Sequence, residues 1–183
     1  NIYDAKEVES EIGRFWKEKK VYEKLMARAG KADRKYWLLD GPPYANNIPH
    51  VGHVKNTVFK DLLIRFAFMK GFNVLFEPGF DTHGLPIENM VEKKLNLGSK
   101  KDIEKYGIAK FMRECRNNAA LNKGLWMNVY EKLGSLYALK EPYLTYEDYY
   151  IDSGWWSFVE LHKKKLVYEG EKPVLWCPHC ETS

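Results

Sequence analysis

The residues of this sequence best suited to chemistry are two histidines, His50 and His53, in the string HVGH. Residues at positions i and i+3 of a first helical turn lie on one face, and Gly52 between them lets a ligand approach the backbone. A helix N-terminus adds free N–H groups and the positive end of the helix dipole. The string GPPY at 41–44 leads into this turn. The combination is suited to binding the phosphates of a nucleoside triphosphate.

The sequence on either side of HVGH predicts the elements that hold it. Residues 35–40 form a short apolar run before a Gly-Pro-Pro turn, which predicts a buried strand, and residues 73–77 predict a second one. Between them, apolar residues recur at helical spacing at Val54, Val58, Leu62, Phe66 and Met69, and Gly71 ends the pattern. Strand, helix and strand make a βαβ unit, whose parallel strands carry ligand-binding loops at their carboxyl ends.

A second candidate loop, GFDTHGLPIE at 79–88, follows the second strand directly. Asp81 in this loop has two interpretations that the sequence leaves open. Its carboxylate can bind an ammonium group or a ribose hydroxyl. It can also cap the helix that follows, since Pro86 is well placed in the first turn of that helix.

The rest of the chain predicts a helical scaffold. Helices are expected over 84–96, 107–133 and 143–166, with Trp155 and Trp156 buried in the last one. Short strands are expected at 167–169 and 173–176. They lead into Cys177 and Cys180, whose CxxC spacing is half of a zinc ribbon but is also compatible with redox chemistry. Counting His179, the chain supplies at most three nearby ligands of the four that a structural zinc site needs.

Composition limits the classes of protein to which the chain can belong. With 183 residues, 45% of them hydrophobic, it can bury one core with an appendage. The net charge of +4 permits an anionic partner, but the lysine runs at 17–20 and 163–165 are expected to be solvated helix faces. No apolar stretch approaches the roughly 20 residues of a membrane span, and no signal peptide is present. We therefore expect a cytoplasmic protein with no membrane partner.

Three strings carry a family resemblance: GPPYANNIPHVGH at 41–53, GFDTHGLPIE at 79–88 and WCPHC at 176–180. Together they resemble the amino-terminal part of the class I aminoacyl-tRNA synthetases, and within that class the isoleucyl enzymes, whose second loop has the wording DTHGLPIE. Val51 stands where the HxGH signature usually has isoleucine, and both residues are β-branched and apolar.

The resemblance implies roles for individual residues. His50 and His53 are expected to be catalytic, contacting the ATP phosphates and stabilising the transition state of adenylation. The residues implied in ATP binding are His50, Gly52, His53, Pro43 and Tyr44. Those implied in isoleucine binding are Gly41, Pro42, Asp81 and His83, with Asp81 on the α-ammonium group. Cys177 and Cys180 are implied as half of a zinc site completed by residues further along the parent enzyme.

The resemblance also implies the fold, cofactors and partners. The expected fold is α/β: the first half of a Rossmann-like catalytic core, with a parallel sheet flanked by helices, an N-terminal helix and the start of a zinc ribbon. The expected domains are an N-terminal helical segment (1–34), the first half of the catalytic domain (35–166) and the start of an inserted zinc-ribbon region (167–183). ATP and Mg²⁺ are the expected cofactors, with Zn²⁺ in the complete enzyme. The expected partners are L-isoleucine and tRNA(Ile), and the protein is expected to be a monomer.

The implied reaction is ATP-dependent activation of L-isoleucine to isoleucyl-adenylate, with release of pyrophosphate, and then transfer to tRNA. A class I synthetase also needs a KMSKS loop, and no such string occurs in residues 1–183. The isolated chain is therefore expected to be inactive or very weak. Three alternatives stay open: a valyl- or leucyl-type fragment, an independent HxGH nucleotidyltransferase, and a noncatalytic nucleic-acid-binding module built on the CxxC half-site.

Overall fold

The computed structural model describes residues 3–178 and 180–183, which form two compact units. The first unit comprises Asn1–Pro43, Asn47–Phe80 and Asn122–Tyr143, and the second comprises Tyr44–Asn46, Asp81–Leu121 and Leu144–Ser183. The helices are α1 (Ala5–Glu18), α2 (Val21–Ala29), α3 (Val51–Met69), α4 (Leu85–Leu95), α5 (Lys100–Tyr106), α6 (Ile108–Lys132) and α7 (Asp148–Lys163), with a 3₁₀ turn at Leu136–Leu139. The strands are β1 (Lys35–Leu39), β2 (Asn73–Glu77), β3 (Gly79–Phe80) and β4 (Tyr143–Leu144).

The first unit contains the predicted βαβ arrangement. Strands β1 and β2 pair in parallel, from Lys35 opposite Asn73 to Leu39 opposite Glu77, and α3 is the connection between them. Val74 and Phe76 of β2 are fully buried, as expected for a strand packed by a crossover helix. The predicted strand and helix positions are confirmed, and the parallel pairing is consistent with a Rossmann-like core.

The buried face of helix α3 is not the face formed by the regularly spaced apolar residues that predicted the helix. Thr57, Ile64 and Ala67 are its buried residues. Four of the five apolar positions that predict the helix are largely exposed: Val58, Leu62, Phe66 and Met69. Strand β1 likewise exposes Trp37 and Leu39. The helix period is correctly read from these residues, but burial depends on what the rest of the fold places against them.

An aromatic cluster forms the core of the first unit. Trp126 is 2% exposed and lies edge-on to Phe80, with ring centroids 5.8 Å apart. Tyr130 stacks on Phe80 at 6.2 Å and contacts Tyr137 at 6.0 Å. These rings fix α6 against the strand ends, because offset and edge-on aromatic pairs add directional packing to the area they bury.

The second unit is helical. Helix α4 begins after Gly84, which has a positive φ of 86°, and buries Ile87 and Val91. The predicted helices at 84–96 and 107–133 are confirmed, whereas α5 was not predicted. Its start does have a local signal, since the hydroxyl of Ser99 accepts the N–H of Asp102.

Other sequence predictions for this unit are wrong. Helix α7 begins at Asp148 rather than at residue 143, and Trp155 and Trp156 are 63% and 67% exposed instead of buried. Residues 167–169 and 173–176 are irregular and form neither predicted strand; only an isolated bridge joins Cys177 to Thr182 there. The domain boundaries at 34/35 and 166/167 stay predictions. Across the ranges 3–178 and 180–183, the structure has no helix long and apolar enough to cross a membrane.

Candidate active site

The His50–His53 turn caps helix α3 with its own side chains. His50 is the N-cap residue, with an extended backbone (φ −100°, ψ 173°), and its Nδ1 accepts the N–H of Gly52 at 3.1 Å. In return, the Nδ1 of His53 accepts the N–H of His50 at 3.3 Å. The two rings stack with their centroids 3.8 Å apart. The motif is therefore a capping box made of two imidazoles.

This geometry determines which ring nitrogen of each histidine can donate a hydrogen bond to a ligand. A ring nitrogen that accepts a backbone N–H carries no proton, so each neutral ring carries its proton on Nε2. Burial, and secondarily the nearby His50, lower the pKa of His53 and so favour its neutral form. Both histidines thus have an Nε2–H donor that the cap does not use.

The expectation of free backbone N–H groups at this helix start is wrong for three of the first four, those of Gly52, His53 and Val54. The N–H of Gly52 is bound by the His50 ring, and the N–H groups of His53 and Val54 both donate to the carbonyl of His50, at 2.9 and 3.1 Å. The donors that this turn can offer a phosphate are therefore the ring N–H groups and at most one backbone N–H, that of Val51.

Gly52 has a steric role in the cap besides the one expected from sequence. A Cβ at this position would approach Cε1 of His50 to 3.0 Å and Nδ1 to 3.1 Å. Glycine therefore leaves the room that the capping ring occupies. The same residue is exposed, as a backbone approached by a ligand must be.

Trp126 supports the second histidine, a role that the sequence did not reveal. The His53 and Trp126 rings lie 4.8 Å apart, and the Trp126 Nε1–H donates to the carbonyl of Asn47 at 2.8 Å. The sequence marks Trp126 only as part of the buried face of a long helix. Its contact with a residue 73 positions away in the chain has no sequence signal.

A buried ion pair holds the start of the GPPY loop. Asp40 ends the first strand region with its side chain 1% exposed, and Lys60 of α3 forms an ion pair with it. Lys60 also donates to the carbonyl of Gly41 at 3.4 Å, and the N–H of Gly79 donates to Asp40 at 3.4 Å. Burial raises the pKa of Asp40, while Lys60 opposes that rise. The Asp40 carboxylate thus links the chain after β1, the chain after β2 and helix α3.

In the second unit, the backbone of the GPPY loop pairs with the loop of Asp81. Tyr44 forms a parallel bridge with Asp81, and the N–H of Ala45 donates to the Asp81 carbonyl at 2.9 Å. The N-cap residue of α4 is Gly84, without a side-chain cap. The capping interpretation of Asp81 is therefore wrong, and its carboxylate is left for another role.

The side chains of the Asp81–His83 loop converge on Thr145. Its hydroxyl lies 2.8 Å from Nδ1 of His83, 3.3 Å from Oδ1 of Asp81 and 3.0 Å from the N–H of Thr82. Thr145 is 4% exposed, whereas Asp81 is half-buried and His83 is exposed. Sequence analysis missed Thr145, because it lies more than sixty residues from its partners.

The candidate residues are distributed over both units. The first holds Gly41, Pro42, Pro43, His50, Gly52 and His53, and the second holds Tyr44, Asp81, His83, Cys177 and Cys180. Within each unit the structure brings together the pairs described above: the two histidines in one, and Tyr44 with Asp81 in the other.

Comparison with known proteins identifies the family. The model of the tRNA synthetases class I (I, L, M and V) matches residues 11–183. The chain belongs to the class I tRNA synthetases. The resemblance found in the three sequence strings is thereby confirmed.

The curated relatives of this synthetase chain are isoleucine–tRNA ligases. The ligase of Clostridium novyi (strain NT) is 43% identical over 177 residues, which are 96% of this chain and 17% of that protein. The ligase of Methanothermobacter thermautotrophicus is 41% identical over 183 residues, 99% of this chain and 17% of that protein. The chain therefore spans 17% of the length of the curated relatives that it matches.

A solved class I synthetase has the same fold. The agnB2 LeuRS of Agrobacterium radiobacter K84, in a ternary complex with tRNA and LeuAMS, matches with a TM-score of 0.63 and 24% identity. The match covers 98% of this chain and 20% of that chain. This likeness supports the α/β core, and the zinc ribbon stays a prediction.

The cysteine pair of this synthetase chain is the predicted half of a zinc site. The N–H of Cys180 approaches Sγ of Cys177 at 3.5 Å, and the N–H of Cys177 donates to the Thr182 carbonyl at 2.9 Å. The hydrogen bond with Cys177, followed by burial, raises the pKa of Cys180. His179 lies outside the described residues. The part of the chain that is described contains no group of three or more metal-ligating side chains. The two thiols fit half of a tetrahedral zinc site.

Proposed function

We propose that this chain is the amino-terminal part of the catalytic domain of an isoleucyl-tRNA synthetase. The observation that carries the proposal is the His50–His53 capping pair, which keeps two Nε2–H donors on the helix after the GPPY loop. The choice of isoleucine is supported by curated isoleucine–tRNA ligases that are 40 to 43% identical to the chain. The proposed reaction activates L-isoleucine with ATP to isoleucyl-adenylate and then transfers the aminoacyl group to tRNA.

Adenylation requires no nucleophile from the protein. A carboxylate oxygen of isoleucine attacks the α-phosphorus of ATP, the bond from that phosphorus to the β-phosphate oxygen breaks, and pyrophosphate leaves with the electron pair. Negative charge is redistributed over the phosphate oxygens in the transition state. His50 and His53 stabilise it through Nε2–H, as fixed donors that need no reorganisation.

The second unit contributes the residue that binds the α-ammonium group of the amino acid. The Asp81 carboxylate, which caps no helix, accepts hydrogen bonds from the α-ammonium group. His83 is expected beside it, and the backbone of Gly41 and Pro42 lines the amino-acid site. Pro43 and Tyr44 are assigned to ATP. The Asp40–Lys60 ion pair fixes the residue from which this loop starts.

Metal ions and tRNA complete the proposal. Mg²⁺ is expected to accompany the ATP phosphates and to neutralise part of their charge. Zinc is expected on Cys177 and Cys180 with two further ligands supplied by a longer chain. The partner tRNA(Ile) is anionic, and the net charge of +4 is compatible with it.

The test is ATP–pyrophosphate exchange by a protein extended to the length of its relatives. We expect exchange that depends on isoleucine and falls by about 10²-fold or more in His50→Ala and His53→Ala, as for loss of a transition-state donor. His162→Ala, on helix α7, is the matched control and should retain activity. Exchange driven equally by valine or leucine would reassign the amino acid, and no exchange with any of them would overturn the proposal. The 183-residue chain alone is expected to turn over far more slowly.

Binding to the chain itself separates the synthetase from a general nucleotidyltransferase. In calorimetry with a non-hydrolysable isoleucyl-adenylate analogue, Asp81→Ala and His53→Ala should both weaken binding. A nucleotidyltransferase would lose affinity with His53→Ala only, because its substrate has no α-ammonium group for Asp81.

A further inference from the structure

Thr145 is the one buried side chain among the described residues that contacts Asp81, Thr82 and His83 together. It directly follows β4, far along the chain from that loop. Thr82 is also buried, at 3% exposure, and its hydroxyl accepts the N–H of Tyr146 at 3.1 Å. The loop between Asp81 and His83 is therefore anchored at its centre by two buried threonines, while the side chains at its ends reach the surface.

The Thr145 hydroxyl has more neighbours than it can donate a proton to. A hydroxyl has one proton to donate and two lone pairs to accept with. The N–H of Thr82 fills one lone pair, and the Thr82 hydroxyl, 3.3 Å away, still has its own proton for the other. The single Thr145 proton then has two possible acceptors: Nδ1 of His83 at 2.8 Å and Oδ1 of Asp81 at 3.3 Å.

The bond to His83 can run either way: Thr145 donates to Nδ1, or Nδ1–H of His83 donates to Thr145 and the Thr145 proton goes to Asp81. We assign the Thr145 proton to the shorter bond, the one to His83, and the tautomer measurement below tests this assignment. A ring whose Nδ1 accepts this proton is neutral and carries its own proton on Nε2. The Asp81 carboxylate then keeps its lone pairs for donors outside the loop. An ammonium group has three N–H donors and a full positive charge, so it is the partner that such a carboxylate binds best.

We propose that Thr145 is a positioning residue for the amino-acid-binding loop. Its hydroxyl holds His83 in the Nε2–H form, fixes the backbone at Thr82 and leaves the Asp81 carboxylate set for the α-ammonium group of the substrate. The inference deepens the proposed function and rests on it, since it takes Asp81 as the ammonium site. It adds a residue with no motif of its own to the proposed amino-acid-binding site.

The test compares two substitutions in the extended protein. Thr145→Val keeps the shape and removes the hydroxyl, and Thr145→Ser keeps the hydroxyl. In pyrophosphate exchange, Thr145→Val should raise the KM for isoleucine about 10-fold, as expected when a buried partner loses its hydrogen bond, with the KM for ATP changed less than about 2-fold. Thr145→Ser should return the isoleucine KM to within about 3-fold of wild type. An unchanged isoleucine KM in Thr145→Val, or a Thr145→Ser variant equally impaired, would overturn the inference.

A spectroscopic measurement separates this inference from the proposed function. In ¹⁵N NMR of the 183-residue chain labelled at histidine, His83 should have the pattern of an Nε2–H ring in wild type and Thr145→Ser, and a tautomer mixture in Thr145→Val. If the extended wild type shows no isoleucine-dependent exchange, the proposed function fails, and the His83 spectrum alone then decides whether Thr145 sets the ring. An identical spectrum in all three proteins overturns that role.

Discussion

The two candidate loops of this chain are held in opposite ways. In the HVGH turn, the side chains of His50 and His53 bind backbone groups no more than three residues away. In the Asp81–His83 loop, each side chain instead contacts Thr145, more than sixty residues further along. The histidine cap itself is made within one helical turn, although Trp126 also contacts the His53 ring. A carboxylate in a loop must be oriented by tertiary contacts.

The two loops therefore differ in how far each can be recognised from the sequence alone. The chemistry of the HVGH turn follows from four adjacent residues, so a sequence pattern carries it. The amino-acid-binding loop shows only its candidate ligands in the sequence, while its support is contributed by a distant segment.

The Asp40–Lys60 ion pair is a non-local support in the first unit, and among these substitutions Lys60→Met should destabilise the chain most. Removing one partner of a buried pair leaves an uncompensated charge, here a carboxylate 1% exposed. We expect a loss of about 3 kcal/mol in the free energy of unfolding, measured by urea denaturation. Lys123→Met breaks an ion pair with the exposed Glu141 and should cost no more than about 1 kcal/mol. Equal losses would show that Asp40 is not dependent on Lys60.

A substitution at Gly79 tests how closely the Tyr143 ring packs on the backbone just before the Asp81 loop. A Cβ at this position would come within 2.1 to 2.5 Å of three atoms of the Tyr143 ring, so Gly79→Ala should cost about 1–3 kcal/mol from overpacking. Gly13→Ala is the control, because a Cβ there meets nothing within 4 Å in helix α1. The control should be neutral or stabilising by up to about 1 kcal/mol. A tolerated Gly79→Ala in thermal denaturation would mean that the Tyr143 ring moves freely.

His50 tests the local character of the HVGH turn. His50→Ala removes the cap on the Gly52 N–H and should lower the free energy of unfolding by about 1 kcal/mol. His50→Asn supplies another capping acceptor and should restore most of that stability, but not activity in the extended protein. If asparagine restores none of it, the ring stack with His53 rather than the cap stabilises the turn.

His53 gives the smallest effect, a dependence of stability on pH. Its pKa in the folded chain is below the unfolded value of 6.5, so below that pH the unfolded chain binds more protons than the folded one. The stability that neutral His53 contributes is therefore fully present above pH 6.5, and it is lost as the pH falls through 6.5 towards the lower pKa of the folded state. His53→Gln should remove this part of the pH dependence in urea denaturation at pH 5.5 to 7.5, and His162→Gln should leave it unchanged.

Much of the first unit was predictable, and the reasons are local. Strand, turn and helix signals around HVGH are short-range, so the positions of β1, α3 and β2 are correct. Burial was less predictable: the apolar stripe of α3 that includes Leu62 and Phe66 is exposed, as are Trp155 and Trp156 of α7. Periodicity reports the kind of element, whereas burial depends on which neighbours the fold provides.

The sequence by itself determined the family, the βαβ core and the two histidines of the HVGH turn, because neighbouring residues encode all three. Only the tertiary structure showed that Lys60 pairs with the buried Asp40 and that Thr145 contacts Asp81 and His83. The physical reason is the range of the interactions. A cap is complete within one helical turn, whereas an ion pair or a shared hydroxyl exists only after folding has brought distant segments together.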